Sequence, residues 1–377
     1  MSGFDPRGAA FYHRTFKEES AKQTKINGIE INVQPRKKHS DFSQAWKIAA
    51  KDQGQQVETQ YEFLRWDDIV RKHWVKSLLS IFLDFIYVSW VFITTGTLKR
   101  VANASRTPAI TGLYPAVFIA VSGLLAILLW FATVVIFTAF QLAWLGWVLG
   151  SILCIAVIIF SKMWGDRINV FWLLRIYAFT SRWASGEIKE LDDRITVFAE
   201  HICVVLKSHT QDEVILIGHS VGSMLTVAIA ARVAEMLDKE QVKQPLNMIT
   251  LGECIPLLSL LPKAVSIRND LSHLSCSNKI QWVDYTSPAD GACFPLVDPV
   301  KVSLSKASYC HSPTLLSARF HKLFKAGYYQ KIRKNFYQMH FLYLMSNDHL
   351  GQYDYFAMTA GKQSLKARIA QQYQKEI

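Results

Sequence analysis

The sequence predicts an α/β fold in which a mostly parallel sheet is flanked by helices and carries an inserted transmembrane helical hairpin. Strands alternate with helices in the C-terminal half, which is typical of a parallel sheet covered on both faces. No charged residue lies between Arg106 and Lys162 in this chain of 377 residues. Half of the residues are hydrophobic, which also favours membrane segments over a purely soluble protein.

The charge-free stretch, 107–161, is long enough for two membrane crossings, because one crossing takes about 20 apolar residues. We place the crossings near 113–137 and 143–160, joined by a turn around 138–141. Basic residues lie outside both ends of this stretch: Lys99, Arg100, Arg106, Lys162 and Arg167. By the positive-inside rule, both ends of the hairpin are therefore predicted to face the cytoplasm.

A shorter apolar stretch, 77–98, precedes the hairpin. Asp84 interrupts it, and basic residues on both sides give it no preferred orientation. We interpret this stretch as a helix that lies in the membrane interface or dips into it. A third crossing is the alternative interpretation.

The two remaining blocks, 1–76 and 162–377, are polar and alternate between helical and strand patterns. In the first block we predict helices at 8–23 and 42–51 and strands at 28–33 and 57–64. In the second block we predict helices at 191–208 and 220–237, strands at 214–217, 246–251 and 279–284, and a largely helical segment at 313–344.

The pentapeptide Gly218-His219-Ser220-Val221-Gly222 lies between a predicted strand and a predicted helix. A serine on such a turn is typical of a nucleophile elbow. Gly218 and Gly222 are needed where a side chain would collide with neighbouring backbone. The N–H of Val221, at the start of the helix, is the expected first donor to an oxyanion. Ser220 is therefore the predicted nucleophile.

An acid and a histidine should follow the nucleophile in that order. Asp290 comes on a turn just after the strand at 279–284 and is our choice for the acid, with Asp284 and Asp298 as alternatives. His340 lies in an apolar, aromatic stretch, where a histidine needs a polar partner. We choose His340 as the general base and keep His349 as the alternative.

The turn at 2–8 leads directly into the first predicted helix. The second oxyanion donor of a nucleophile-elbow enzyme comes from a loop of this kind, after an early strand. The N–H of Phe4 is our candidate for that donor. The alternative is that this turn only caps the helix.

The residues 217–222, followed in order by Asp290 and His340, resemble the α/β-hydrolase superfamily. The segment 340–343 is similar to the His-x-x-Tyr near the catalytic histidine of class 3 lipases. Through 3–8, 63–68 and 353–356 the whole chain looks like a group of membrane-anchored, lipase-like bacterial hydrolases. On this resemblance, 1–76 is the N-terminal part of the hydrolase domain and 162–377 is its catalytic part.

The resemblance implies a serine esterase that cleaves lipid or acyl esters through a Ser-His-Asp triad and an acyl-enzyme. It also implies a bacterial inner membrane, with the catalytic domain on the cytoplasmic side. An acyltransferase that uses the same triad, or a non-catalytic membrane scaffold, are the alternatives.

Other features of the sequence bear on partners and cofactors. The net charge of +12 fits a membrane surface better than nucleic acid, since no nucleic-acid-binding signature is present. No cofactor or metal is expected, because the histidines show no ligand spacing. The six cysteines form no Cys-x-x-Cys pair and are expected to be free thiols in a reducing compartment.

Overall fold

The computed structural model describes residues 1–74, 76–242 and 244–374. The N-terminal block begins with helix α1 and continues into an antiparallel sheet. Its elements are α1 (Ala9–Asn27), β1 (Glu30–Val33), β2 (Lys37–Lys38), β3 (Ser43–Asp52), β4 (Gln55–Leu64) and α2 (Asp67–Lys72). Strands β1, β2 and β4 all pair with β3 in antiparallel register. Helix α1 covers this sheet, with Tyr12 stacked on Phe63 at 5.0 Å between ring centroids.

The helix predicted at 42–51 is wrong, because this segment forms β3. Trp46, Ile48 and Ala50 are buried while the alternate side chains are exposed, which is the two-residue period of a strand. A two-residue loop, Gln53-Gly54, turns β3 into β4 with φ values of 49° and 84°. Positive φ at both positions is what a type I′ hairpin needs.

Four helices connect the two polar blocks: α3 (Leu78–Thr94), α4 (Thr97–Ala104), α5 (Arg106–Ala139) and α6 (Ala143–Arg167). By length and composition, α5 and α6 are apolar enough to cross a membrane, and they pack together as a hairpin. The predicted crossings, 113–137 and 143–160, lie inside these helices. Helices α3 and α4 meet at an angle of 73° and qualify as a third span only if the bent pair is counted as one.

Small residues let the two hairpin helices approach closely. A Cβ atom added to Gly146 of α6 would lie 2.9 Å from the Cβ of Phe137 and 3.1 Å from the Cα of Val134, both on α5. One turn later, a Cβ at Gly150 would lie 3.1 Å from the carbonyl oxygen of Trp130. The hairpin interface is therefore built around these two glycines.

The C-terminal block contains a four-stranded parallel sheet, ordered β5 (Ile215–His219), β6 (Leu246–Leu251), β7 (Ile280–Thr286) and β8 (Thr314–Ser317). Its first five helices are α7 (Val170–Ala184), α8 (Lys189–Ser208), α9 (Val221–Lys239), α10 (Ile255–Ser259) and α11 (Val265–Cys276). The helices that follow are α12 (Pro299–Ser303), α13 (Phe320–Leu323), α14 (Ala326–Ile332), α15 (Phe336–Phe341), α16 (Tyr355–Ala360) and α17 (Leu365–Gln374), with 3₁₀ turns at Lys306–Ser308 and Leu342–Leu344.

The parallel sheet has a hydrophobic cluster on each face, as the alternation of strands and helices predicts. One cluster includes Met248 and Trp282 with helices α7, α8, α9 and α11. The other includes Ile249 and Tyr285 with α1 and α16. The segment 313–344, predicted as largely helical, begins instead with β8, which pairs with the end of β7.

The expectation of six free thiols is wrong for two cysteines. Cys276, at the end of α11, and Cys310, in the loop before β8, form a disulfide. The loop is held there because the N–H of His311 donates to the carbonyl of Ser275 at 3.1 Å. Tertiary structure brings together cysteines that are 34 residues apart, so local spacing could not reveal the pair.

Candidate active site

Ser220 occupies the single-residue turn between β5, which ends at His219, and α9, which begins at Val221. Its backbone has φ 59° and ψ −128°, a conformation that residues other than glycine rarely adopt. The N–H of Ser220 donates to the carbonyl of Leu251 at 2.9 Å, which ties the turn to the end of β6. The surrounding sheet and helix thus hold a strained serine at the carboxyl edge of the parallel sheet.

The two glycines of the pentapeptide meet the steric demand predicted for them. A Cβ atom at Gly218 would lie 2.1 Å from the Oγ1 of Thr226 and 2.6 Å from the carbonyl oxygen of Gly222. A Cβ atom at Gly222 would lie 2.5 Å from the carbonyl oxygen of Ser2. Side chains at either position would force the turn or the N-terminal segment to move.

The N-terminal segment runs beside β5 and reaches the nucleophile. The backbone nitrogen of Met1 donates to Ile217 at 2.8 Å, and the N–H of His219 donates to the carbonyl of Met1 at 3.2 Å. These two bonds have the pattern of parallel strand pairing. A Cβ atom at Gly3 would lie 2.9 Å from the Cβ of Ser220, and the next residue, Phe4, lines the same cleft. The predicted second-donor loop therefore lies directly against the serine.

His340 and Asp290 form a buried pair. The Nδ1 of His340 lies 2.7 Å from the Oδ2 of Asp290, and the side chains are 1% and 0% exposed. The N–H of Ala292 donates to the Oδ1 of Asp290 at 3.0 Å. Burial opposes ionisation of Asp290, but the neighbouring His340 and these hydrogen bonds outweigh it and lower the pKa of the carboxyl.

The other ring nitrogen of His340 points at no protein partner in the described part of the chain. Its Nε2 is buried and makes no hydrogen bond there, yet His340 and Ser220 both line one cleft. An unpaired buried nitrogen costs free energy, so such a group is typical of a site that is completed by a reacting molecule.

The alternative acids and base lie elsewhere. Asp284 accepts a hydrogen bond from the Oγ1 of Thr250 at 2.5 Å inside the sheet. Asp298 caps α12, where it accepts from the N–H of Val300 at 3.0 Å. His349 is exposed and does not line the cleft, and the two aspartates bond to Thr250 and to the start of α12, whereas Asp290 bonds to His340. The geometry favours the first choices, Asp290 and His340.

His219 is a site residue that the sequence interpretation missed, although it lies within the pentapeptide. Its Nε2 lies 2.8 Å from the carbonyl oxygen of His340, so the ring must donate that hydrogen bond. Burial, together with His340 nearby, lowers the pKa of His219 to about 3. A neutral His219 therefore holds the backbone that carries His340.

Cys254 is a second neighbour that the sequence did not indicate. Burial raises the pKa of its thiol well above the ordinary value, against the effect of a hydrogen bond with Ser220. A buried thiol of raised pKa is a poor nucleophile. The thiol of Cys254 is therefore a weaker candidate nucleophile than the hydroxyl of Ser220.

The cleft is small and mostly aromatic, with an empty volume of about 260 Å³ that includes open solvent at its mouth. It is lined by Gly3, Phe4, Asp5, Trp74, Trp172, His219, Ser220, Tyr337, His340 and Phe341. The ring of Trp172 lies 6.0 Å from that of His340 and 6.4 Å from that of Phe336. Phe336 in turn contacts Tyr114 of α5 at 5.8 Å, so aromatic rings connect the cleft with the hairpin.

The base of the hairpin also lies against the loop that carries Asp290. A Cβ atom at Gly291 would lie 3.0 Å from the Oγ1 of Thr111 on α5. The cleft is thus next to the end of the hairpin where α5 begins.

Comparison with family models, with curated proteins and with solved structures yields no match for this chain.

Proposed function

We propose that this chain is a membrane-anchored serine hydrolase of the α/β-hydrolase type that cleaves carboxylic esters. One observation carries the proposal: Ser220 is held at φ 59° between β5 and α9 and lines the same cleft as His340, whose ring is paired with the buried Asp290. A strained serine at a strand-to-helix turn is the geometry that a nucleophile elbow requires.

In the proposed first step, the Oγ of Ser220 attacks the acyl carbonyl while the Nε2 of His340 takes the hydroxyl proton. Asp290 holds the ring through Nδ1 and stabilises the positive charge that the ring acquires. The carbonyl π electrons move to oxygen, and the tetrahedral intermediate then expels the alkoxide, which receives the proton from His340. Water repeats the sequence on the acyl-enzyme and releases the acid.

The oxyanion of the tetrahedral intermediate needs hydrogen-bond donors. The N–H of Val221 is the first of α9, so it has no acceptor within the helix. Gly3 packs against Ser220 and the next residue, Phe4, lines the same cleft, which makes the N–H of Phe4 the candidate for the second donor. We assign these two N–H groups to the oxyanion hole.

The proposed substrate is an acyl ester that reaches the cleft from the bilayer. The aromatic lining suits an apolar acyl group, and the connection through Phe336 to Tyr114 leads toward α5. Only about 20 Å³ of the cleft can hold the centre of a water-sized sphere, which is room for little more than one water molecule. An acyl chain therefore enters the cleft only if the lining side chains move.

The bilayer is the proposed partner of α3 as well as of the hairpin. Asp84 is buried and pairs with Arg182 of α7, so the polar side of α3 faces protein. Its opposite side is an exposed apolar stripe: Leu79, Phe82, Leu83, Ile86, Trp90 and Ile93. This pattern is that of a helix lying in the membrane interface.

We propose a bacterial inner membrane, with the cleft on the cytoplasmic side, from the basic residues at both ends of the hairpin. The Cys276–Cys310 disulfide favours the opposite side, because such bonds persist in oxidising compartments. An alkaline phosphatase fusion to the C-terminus distinguishes the two sides of the membrane. An inactive fusion supports a cleft on the cytoplasmic side, and an active fusion supports a cleft on the opposite side.

A fluorophosphonate probe tests the proposed nucleophile, since it reacts with activated serines. The purified full-length chain should be labelled, and Ser220→Ala should abolish the labelling. Ser181→Ala is the matched control, because Ser181 is buried in α7 and donates to Tyr177. Hydrolysis of p-nitrophenyl butyrate should fall at least about 10³-fold in Ser220→Ala only.

Two results would contradict the proposal. Labelling that persists in Ser220→Ala removes this serine from the mechanism. A folded wild-type chain that neither reacts with the probe nor hydrolyses esters points to the non-catalytic scaffold instead. If added alcohols capture the acyl group faster than water does, the chain is an acyltransferase that uses the same groups.

A further inference from the structure

Three metal-ligating side chains meet on the surface of the N-terminal sheet, away from the cleft. His39 follows β2, Glu62 lies on β4, and His201 lies on α8. One ligand atom from each residue lies within 4.8 Å of the other two. The cluster therefore joins the antiparallel sheet to a helix that covers the parallel sheet.

Both imidazoles direct a ring nitrogen at the same carboxylate. The Nε2 of His201 lies 2.6 Å from the Oε2 of Glu62, and the Nε2 of His39 lies 3.4 Å from its Oε1. The two rings are 5.5 Å apart between centroids at an interplanar angle of 64°. Three donors thus converge on one small volume from three different elements.

We propose that His39, Glu62 and His201 form a binding site for a zinc-type divalent transition metal. Two imidazole nitrogens and one carboxylate oxygen are a ligand set that Zn²⁺ takes in proteins, with water as the fourth ligand. Imidazole nitrogen is not a ligand that Mg²⁺ or Ca²⁺ prefers, so the set selects against these cations.

The two histidine–carboxylate distances, which reach different oxygens of Glu62, are close to those of tetrahedral coordination, and the three ligand atoms lie within 4.8 Å of one another. Bonds of about 2.0–2.1 Å to the metal place neighbouring ligand atoms about 3.3 Å apart. The separation of His39 from Glu62 already has this value, at 3.4 Å. The 2.6 Å hydrogen bond between His201 and Glu62 would open by less than 1 Å when the metal replaces the proton.

The side chains are accessible to a metal from solution. His39 is 43% exposed, whereas Glu62 and His201 are 19% and 29% exposed. The open position therefore faces solvent on the His39 side. A bound metal would connect the β2–β3 turn and β4 to α8. Glu62 on β4 and His201 on α8 are 139 residues apart in the sequence.

Without a metal, the same three groups form an ordinary histidine–carboxylate ion pair, so the experiment must separate the two states. The full-length chain in detergent is stripped with EDTA, and Zn²⁺ is then titrated against a chromophoric chelator. We expect one saturable Zn²⁺ per chain. Glu62→Gln and His201→Gln should each weaken binding at least tenfold, because each removes a ligand.

His13→Gln is the matched control, since His13 lies on α1 and pairs with the carbonyl of Gln34 instead. His39→Ala separates loss of a ligand from misfolding, because His39 is at the surface. This variant should bind Zn²⁺ more weakly while its circular dichroism spectrum stays unchanged. X-ray absorption of the loaded chain should show nitrogen and oxygen ligands at about 2.0–2.1 Å.

The absence of saturable Zn²⁺ binding by the wild-type chain would overturn the proposal. So would equal affinity of the wild type and the double variant Glu62→Gln, His201→Gln. Because none of these residues lines the cleft, Ser220→Ala should bind Zn²⁺ normally. Failure of the metal site and failure of the proposed hydrolase are therefore separate results.

Discussion

Replacing Asp290 by asparagine changes one hydrogen bond in the proposed triad and little else. Asparagine has the same shape, and its carbonyl oxygen still accepts from the N–H of Ala292. Its amide nitrogen then faces the Nδ1 of His340, where the carboxylate oxygen lay at 2.7 Å. Since an amide nitrogen donates, the ring must turn Nδ1 into an acceptor and carry its proton on Nε2.

That tautomer cannot take the proton of Ser220. It also lacks the negative charge that stabilises the protonated ring. Loss of both effects in a serine triad costs about 10⁴-fold in rate, or about 5.5 kcal/mol of transition-state stabilisation. We therefore expect Asp290→Asn to lower both ester turnover and the rate constant for fluorophosphonate labelling by about 10³- to 10⁴-fold.

Asp284→Asn is the matched control for this experiment. Asp284 is also fully buried, lies six residues earlier on β7, and accepts its hydrogen bond from Thr250 rather than from a histidine. Labelling at neutral pH should stay within about twofold of wild type, since this side chain touches no proposed reacting group. Equal losses in the two variants, or none in Asp290→Asn, would refute the assigned role of Asp290.

Two further predictions concern stability. Burial and the charge of Asp298 raise the pKa of Asp284 to about 8, against its hydrogen bond with Thr250, so the folded chain keeps a proton that the unfolded chain loses above pH ~4. The contribution of Asp284 to stability should therefore fall as pH rises from about 4 to 8. Asp284→Asn should melt several degrees higher than wild type at pH 8 and equally at pH 4, and a difference in melting temperature that does not change with pH would contradict this. Gly146→Leu should destabilise the hairpin by about 1–3 kcal/mol, because its side chain meets the backbone of α5. Gly123→Leu, where a Cβ meets nothing within 4 Å, should melt like wild type in detergent, and equal melting of both variants would contradict the packing argument.

The strongest sequence patterns predicted the architecture well. A charge-free stretch has few structural solutions other than a membrane hairpin, and α5 and α6 contain both predicted crossings. A short apolar strand followed by Gly-x-Ser-x-Gly predicted the turn at Ser220, because its two glycines satisfy a purely local steric demand. Local rules were sufficient where local contacts decide the structure.

Sequence patterns failed to predict the structure where contacts between residues far apart in the chain determine it. The alanine-rich segment of β3 has good helix formers, and only pairing with β1 and β4 makes it a strand. The disulfide and the His39–Glu62–His201 cluster join elements with no regular spacing. The role of His219 was not predicted because its partner is the backbone carbonyl of His340, and every residue type has such a carbonyl.

The base of the hairpin packs at the same edge of the parallel sheet that carries the cleft. In parallel sheets, functional groups gather at the carboxyl ends of the strands. Ser220 and Asp290 follow β5 and β7 at this edge, and the first turns of α5 pack there, with Thr111 against Gly291. The contact falls before the predicted crossing at 113–137, so α5 runs from the loop that carries Asp290 through that crossing as one helix. In the proposed membrane-anchored enzyme, the insertion would therefore bring the cleft to the membrane without disturbing the sheet.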